Sequence, residues 1–204
     1  QQAIYLMGKL FLDPGDRVAV SAPTYTGALS SLASFAPSYV PIECDDQGMI
    51  PSSVEDALMQ NPKFLYCIPN FMNPTGVDMA YGRRQAVVDL ARKYGTPILE
   101  DDPYGELRFA GEPKPALYEL APESTIYAGT FSKILAPGFR IGWMVAPAHV
   151  HEKLTIAKQS IDLQVSTYSQ RLLYEAIQDG FIEAQLDRVL SLIHISEPTR
   201  HRRI

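Results

Sequence analysis

Short apolar runs alternate with segments of helical periodicity along most of the chain. Apolar positions near the start, from Ile4 to Phe11, recur at helical spacing and predict a helix that is already under way at residue 1. The runs 64–68 and 98–99 are apolar without alternation, which is typical of strands buried on both faces. The whole pattern predicts strands at 17–22, 38–43, 63–68, 97–100, 125–128 and 140–146, and helices at 26–35, 52–60, 79–94 and over most of 147–190.

This alternation of strands and helices predicts the fold class. We expect an α/β fold with a mostly parallel mixed sheet that is sandwiched by helices. Because no internal repeat and no linker interrupts the pattern, residues 1–190 are predicted to form one domain. The stretch 191–204, SLIHISEPTRHRRI, loses the periodicity and ends in basic residues, so we expect it to be a non-native tail.

Composition and charge narrow the classes of function. The chain of 204 residues is 46% hydrophobic and 20% charged, which is typical of a globular protein. Its formal net charge of −5 gives no electrostatic basis for nucleic-acid contacts, and no apolar run approaches the roughly 18 residues of a membrane span. Cys44 and Cys67 are too few for a disulfide framework, which favours a reducing, cytoplasmic location. His149 and His151 have no third ligand in view, so no metal site is predicted.

Three polar segments follow predicted strands at their carboxyl ends, where ligands bind in open α/β sheets. They are Asn73-Pro74-Thr75-Gly76, Asp101-Asp102-Pro103-Tyr104 and the stretch 130–140, TFSKILAPGFR. Each has an ordinary structural explanation by itself, as a turn, a capped turn and a solvated loop. The three segments in this order and at these separations form a far more specific pattern than any one of them.

Together these segments resemble the class I and II aminotransferases, a family of pyridoxal phosphate (PLP) enzymes, over essentially residues 1–190. The stretch 157–164, AKQSIDLQ, is similar to the subgroup that contains 2-aminoadipate and kynurenine aminotransferases. The same subgroup supplies the effector domains of MocR-type transcription regulators. The resemblance implies the large domain of a PLP-dependent transferase, truncated at both ends and without the small C-terminal domain.

The resemblance also assigns roles to residues of the three segments. Lys133 is implied to form a Schiff base with PLP and to move the α-proton of the substrate. Asp101 is implied to pair with the pyridine nitrogen, whereas Asp102 is expected to cap a helix or turn. Tyr104 and Asn73 are implied to donate hydrogen bonds to the O3′ oxygen of the cofactor. The predicted catalytic residues are therefore Lys133, Asp101 and Tyr104.

The remaining predicted cofactor contacts concern the ring face and the phosphate group. Tyr25 is implied to stack on the pyridine ring, and Thr130, Ser132 and Arg140 are implied to bind the phosphate dianion. Gln1 resembles the end of the family's Gly-Ser-Gln-Gln phosphate turn. A helix amino terminus at this position would favour the same dianion.

The function that follows from the resemblance is PLP-dependent transamination between an amino acid and a 2-oxo acid. We expect 2-oxoglutarate as the acceptor and a homodimer as the intact form. The alternative is an amine- and PLP-sensing effector domain of a MocR-like regulator, and other PLP reactions such as decarboxylation or β-elimination share the same cofactor site. The family's carboxylate-binding arginine and cross-dimer tyrosine are expected to lie outside this chain, so we expect residues 1–204 alone to be inactive.

Overall fold

The computed structural model describes residues 1–196, and its strands form one seven-stranded sheet. In chain order the strands are β1 (Arg17–Ala22), β2 (Ser38–Asp45), β3 (Gly48–Met49), β4 (Phe64–Cys67), β5 (Ile98–Asp102), β6 (Thr125–Thr130) and β7 (Gly142–Val145). Across the sheet they are ordered β3-β2-β1-β4-β5-β6-β7. The pairs from β2 through β6 are parallel, and β3 is antiparallel to β2. The predicted mixed, mostly parallel sheet is confirmed.

Helices fill most of the connections between the strands. They are α1 (Gln2–Phe11), α2 (Thr26–Leu32), α3 (Pro51–Leu58), α4 (Tyr81–Tyr94), α5 (Leu117–Leu120), α6 (Ala148–Asp162), α7 (Thr167–Gln178) and α8 (Phe181–Ser196), with short 3-10 helices at Ala33–Phe35, Gly105–Leu107 and Pro137–Phe139. Helix α4 ends where Gly95 adopts a left-handed conformation with φ of 63°, which glycine reaches without a steric penalty. Within residues 1–196, no helix is both long and apolar enough to cross a membrane.

Most element boundaries agree with the sequence pattern, and the differences have local causes. The last strand begins at Gly142 rather than at residue 140, because Arg140 has a φ of 53° and cannot belong to an extended strand. Strand β3 has only two residues, too few to produce a periodic signal. Helix α8 continues to Ser196, beyond the end predicted near residue 190, and positions 197–204 of the expected tail lie outside the described residues.

The described chain divides into two compact units, each built from discontinuous segments. The first unit contains Gln1–Asp102, Lys114–Gly129 and Trp143–Leu163, and the second unit contains Pro103–Pro113, Thr130–Gly142 and the chain from Gln164 onward. A sequence pattern shows no linker at such boundaries, because the chain passes several times from one unit to the other.

Strand β4 lies in the interior of the first unit, between β1 and β5. All four of its residues are buried, which explains why its sequence is apolar without alternation. The second unit has its own small apolar cluster, formed by Ile134, Ile141, Leu173 and Ile182. Each unit thus has its own packed apolar side chains.

Candidate functional site

Asp101 and Asp102 form the carboxyl end of β5, where they have different tyrosine partners. Successive side chains of a strand point to opposite faces of the sheet. The register pairs Tyr66 of β4 with the residue two before Asp101, and Tyr127 of β6 with the residue two before Asp102. The Tyr66 hydroxyl accordingly donates a hydrogen bond to Asp101 Oδ2 at 2.8 Å, and the Tyr127 hydroxyl donates to Asp102 Oδ2 at 3.1 Å.

Burial changes the ionisation of both members of the Tyr66–Asp101 pair. Desolvation raises the pKa of Asp101 above its ordinary value, while the hydrogen bond from Tyr66 opposes this change. Desolvation and the neighbouring Asp101 carboxylate raise the pKa of Tyr66 far above its ordinary value. The phenol therefore stays protonated and serves as a permanent hydrogen-bond donor.

Asp102, which the sequence analysis expected to cap a helix or turn, has a hydrogen-bond partner in strand β6. It is the last residue of strand β5, and its carboxylate accepts a hydrogen bond across the sheet from Tyr127. The strand continues two residues beyond its predicted end at residue 100, because the parallel pairing with β6 extends to Asp102 and Gly129.

Gln1 and Tyr25 meet where α1 and α2 begin. The Gln1 side-chain amide donates hydrogen bonds to the Gly27 carbonyl oxygen, at 2.8 Å, and to the Ser31 hydroxyl. Its side-chain oxygen accepts a hydrogen bond of 3.4 Å from the Tyr25 hydroxyl. The Tyr25 ring lies so close to Gly27 that a β-carbon at that position would overlap with it. A side chain at position 27 would therefore displace the Tyr25 ring.

Electrostatic influence connects these residues to the aspartate. Besides burial and Asp101, Tyr25 contributes to the raised pKa of Tyr66, and the Tyr25 hydroxyl is hydrogen-bonded to the Gln1 side chain. The structure thus brings three predicted residues, Gln1, Tyr25 and Asp101, into one neighbourhood. Tyr66 joins them as a residue that the sequence analysis missed. Its only sequence signal is a polar hydroxyl within an otherwise apolar strand.

Asn73 lies in the loop between β4 and α4, where it is half-buried. Two backbone hydrogen bonds tighten this loop, one of 2.9 Å from Met72 N to Val77 O and one of 2.6 Å from Gly76 N to Met72 O. Gly76 has a φ of 75°, which glycine adopts readily. The predicted turn is therefore present, and it presents Asn73 at its start.

Arg84 of α4 is a fully buried residue that the sequence analysis also missed. Its guanidinium group donates to the carbonyl oxygens of Met79 at 3.0 Å, Pro115 at 2.9 Å and Pro69 at 3.2 Å. It also donates to Asn70 Oδ1 at 2.6 Å and to Asp78 Oδ1 at 3.0 Å. The sequence did contain a signal for this burial. Arg84 precedes the buried residues Val87 and Val88 by three and four positions, a spacing that places it on the same inward face of the helix.

Glu100 is a second buried charged group, on the face of β5 opposite Asp101. Its carboxylate accepts hydrogen bonds from the backbone nitrogens of Leu117, at 3.0 Å, and Tyr118, at 2.8 Å, at the start of α5. Desolvation raises the pKa of Glu100 to about 7, although these bonds favour the ionised form. The Glu100 carboxylate thus links strand β5 to the first residues of helix α5.

The second unit groups two hydroxyls near a tight turn that contains Arg140. Thr130 Oγ1 lies 3.1 Å from Ser132 Oγ and accepts a hydrogen bond of 3.2 Å from Ser132 N. The Ile141 carbonyl oxygen lies 3.3 Å from Thr130 Oγ1 and accepts from Phe131 N at 3.1 Å, so the chain returns beside these hydroxyls directly after Arg140.

Lys133 and Arg140 are both exposed in this unit, and Arg140 Nη1 donates to the Pro137 carbonyl oxygen at 3.1 Å. Tyr104 is half-buried and precedes the 3-10 helix Gly105–Leu107. Hydroxyl and cationic side chains are donor types that suit an anion. The predicted residues are thus divided between the units, with Gln1, Tyr25, Asn73 and Asp101 in the first and Tyr104, Thr130, Ser132, Lys133 and Arg140 in the second.

Comparison with known proteins gives a family match and several relatives. The family model described as "Aminotransferase class I and II" matches residues 1–194. The chain is 43% identical over 197 residues to aromatic-amino-acid aminotransferase 1 of Thermococcus litoralis, covering 93% of this chain and 47% of the relative. It is 38% identical over 194 residues to the 2-aminoadipate transaminase of Thermus thermophilus, covering 93% of this chain and 49% of the relative.

Solved structures and one regulator extend this comparison. The crystal structure of Pyrococcus horikoshii kynurenine aminotransferase in complex with PMP matches with a TM-score of 0.89 and 42% identity, over 93% of this chain and 49% of that one. An uncharacterised HTH-type transcriptional regulator of Bacillus subtilis is 34% identical over 187 residues, or 91% of this chain and 39% of the regulator. The chain spans about half the length of the curated aminotransferases it matches.

Proposed function

This chain belongs to the class I and II aminotransferases, and we propose that the protein uses PLP to transfer an amino group from an amino acid to a 2-oxo acid. We propose 2-oxoglutarate as the acceptor. The observation that carries the proposal is the Asp101 carboxylate, which Tyr66 holds at the carboxyl end of β5 by a hydrogen bond of 2.8 Å. A partly buried carboxylate in a fixed orientation suits a protonated ring nitrogen as its partner.

The polar groups of the first unit fit the ring of PLP. Asp101 supplies an acceptor for the ring nitrogen, and Tyr25 supplies an aromatic ring for stacking on the pyridine face. Asn73, at the start of its turn, supplies a side-chain amide that can donate to the phenolic oxygen. These three residues provide the charge, the flat apolar surface and the donor that the ring requires.

The donor set of the second unit fits the phosphate group. Thr130 and Ser132 supply hydroxyls that already lie 3.1 Å apart, and Arg140 supplies a guanidinium group for charge-assisted bonds to phosphate oxygens. We propose that Gln1 of the first unit adds to this binding, because it lies at the amino end of α1, where backbone N–H groups favour a dianion.

When bound, PLP supplies an electrophilic aldehyde carbon and a protonated ring that accepts the electrons of the broken Cα–H bond. We propose that Lys133 Nζ anchors the cofactor and then carries the proton that leaves the substrate Cα. Asp101 would keep a proton on the ring nitrogen. Asn73 and Tyr104 would donate hydrogen bonds to the phenolic oxygen and so hold the ring in a fixed orientation.

The names of the relatives support a range of amino-acid substrates. The matched proteins include an aromatic-amino-acid aminotransferase, a 2-aminoadipate transaminase and a kynurenine aminotransferase. We propose that the amino donor of this protein belongs to the same range of aromatic and longer acidic amino acids. Assays with 2-aminoadipate, kynurenine and phenylalanine, each with 2-oxoglutarate, would rank the substrates.

A chemical trapping experiment tests the proposed role of Lys133. The complete protein is loaded with PLP and reduced with borohydride, and the modified peptide is identified by mass spectrometry. We expect the pyridoxyl group on Lys133 and its loss in Lys133→Arg. Lys153→Arg is the matched control, because Lys153 is also exposed and belongs to α6, which contributes none of the proposed residues. Labelling at another lysine in the unaltered protein would refute the assignment.

The regulator relative supports a second candidate, an effector domain that binds PLP and an amine without turnover. The two candidates differ in what they do after binding. An aminotransferase releases glutamate when an amino acid and 2-oxoglutarate are both present, whereas an effector domain shows only a change in absorbance. A winged-helix segment encoded upstream of Gln1, together with the absence of glutamate release, would decide for the regulator.

A further inference from the structure

We propose that Tyr66 is a positioning residue for Asp101: its hydroxyl fixes the orientation of the carboxylate and stabilises its ionised form, so that the carboxylate can pair with a cationic ring nitrogen. The inference rests on the proposed function only for the identity of that cationic partner. The interaction between the two side chains exists in the chain without any cofactor.

The position of Tyr66 makes its hydroxyl a fixed group. Tyr66 has no exposed surface and belongs to β4, whose four residues are all buried between β1 and β5. Closely packed interiors restrict a ring of this size to one orientation. Its hydroxyl engages Asp101 Oδ2 at 2.8 Å, which restricts the rotation of the carboxylate group and directs Oδ1 away from the phenol.

The charges around Asp101 show why such a donor is needed. Burial and the neighbouring Asp102 carboxylate raise the pKa of Asp101, and both therefore favour its neutral form. The hydrogen bond from the Tyr66 hydroxyl acts in the opposite direction and lowers the pKa of Asp101. A neutral carboxylic acid would not stabilise a cationic partner, so the Tyr66 bond helps to maintain the form that the proposed chemistry requires.

The opposite face of β5 provides an internal comparison. Tyr127 donates to Asp102 at 3.1 Å in the same way that Tyr66 donates to Asp101. The Tyr66 hydroxyl binds Asp101, whereas the Tyr127 hydroxyl binds Asp102. Removal of the Tyr127 hydroxyl therefore deletes a cross-strand phenol–carboxylate bond on β5 without touching Asp101.

The first measurement uses the cofactor-free chain. The Asp101 carboxyl carbon is followed by 13C NMR during a pH titration in the unaltered chain, in Tyr66→Phe and in Tyr127→Phe. We expect Tyr66→Phe to raise the pKa of Asp101, because the ionised form loses a donor, and we expect Tyr127→Phe to leave it nearly unchanged. An unchanged Asp101 pKa in Tyr66→Phe, or an equal rise in both variants, would overturn the proposal.

The second measurement connects the pair to the cofactor. PLP affinity is measured by absorbance in the unaltered protein, in Tyr66→Phe, in Asp101→Asn and in the double variant. We expect Tyr66→Phe to weaken binding about tenfold when Asp101 is present, as for loss of a hydrogen bond to a charged group. The same change should have little effect in the Asp101→Asn background. Equal losses in both backgrounds would contradict a role through Asp101.

These measurements separate the inference from the proposed function. If the unaltered protein binds no PLP, the proposed function fails, while the carboxyl titration still decides whether Tyr66 controls Asp101. If Tyr66→Phe fails to fold, 3-fluorotyrosine at position 66 keeps the ring and makes the hydroxyl a stronger donor. The fluorinated protein should then show a lower Asp101 pKa, and an unchanged or higher value would refute the proposal.

Discussion

The buried guanidinium group of Arg84 donates a hydrogen bond of 2.6 Å to the side-chain oxygen of Asn70, three residues before Asn73. The same group also binds the Pro69 carbonyl oxygen at one end of this loop and the Met79 carbonyl oxygen at the other. One side chain therefore holds both ends of the turn that presents Asn73. The planar fork of arginine suits this task because its donors point in several fixed directions.

Replacement of Arg84 by methionine should destabilise the protein strongly. The change leaves three carbonyl oxygens and the Asn70 side chain without their buried donor, and we expect a loss on the order of 3 kcal/mol in the free energy of unfolding. Urea denaturation measures this loss. Arg83→Met is the matched control, because the adjacent Arg83 is partly exposed and pairs with Asp45 nearer the surface, where about 1 kcal/mol is expected. Equal losses would show that the loop does not depend on Arg84.

Glu100 should make stability fall as the pH rises. Its pKa is raised to about 7 in the folded protein, whereas a carboxyl in the unfolded chain titrates near its ordinary value of 4.5. Between these values the folded state binds more protons, so the contribution of Glu100 to stability is complete below about pH 4.5 and is lost as the pH rises through 7. The shift corresponds to about 3 kcal/mol at most.

Urea denaturation at several pH values tests this dependence. Glu100→Gln removes the titrating group, so we expect a flatter stability profile between pH 4.5 and pH 7 than in the unaltered chain. The surface substitution Glu112→Gln is the control and should leave the profile unchanged. A Glu100→Gln profile as steep as that of the unaltered chain would mean that another group is responsible.

Asp101 and Asp102 should differ in their importance for catalysis. We expect Asp101→Asn to slow the proton-transfer step about a hundredfold or more, the range for a lost electrostatic partner of the reacting group. Asp102→Asn should have a milder effect, since Asp102 faces the other side of β5 and is bound by Tyr127. Single-turnover absorbance measurements on the PLP-loaded complete protein compare the two. The reverse order would mean that Asp102 is the partner of the ring.

Gly27→Ala should weaken cofactor binding through Tyr25. The added β-carbon would overlap with the Tyr25 ring, which must then move away from its position beside Gln1. We therefore expect lower PLP affinity, measured by absorbance titration. Gly82→Ala in α4 is the control, because a β-carbon there meets no atom within 4 Å, and it should leave affinity unchanged. Equal affinity in both variants would argue against stacking by Tyr25.

The linear pattern of residues was sufficient for the local elements and for the order of the site segments. Strand β1 was predicted with its observed bounds of Arg17–Ala22, and the non-alternating residues of β4 indicated a strand buried on both faces. Both features depend on spacing and side-chain polarity, which are properties of neighbouring residues. The segment that ends at Tyr104 was likewise recognisable from its own residues.

The hydrogen-bond partners of Asp101, Asp102 and Arg84 were decided only by the tertiary structure, which brings distant segments together. Alternation implies that Asp101 and Asp102 point to opposite faces, but only the placement of β5 between β4 and β6 assigns Tyr66 to one aspartate and Tyr127 to the other. Arg84 is buried because the chain at Pro69 and at Pro115 comes to it from remote positions with acceptors. Such contacts have no local signature, because the free energy that permits a buried charge comes from atoms far away in the sequence.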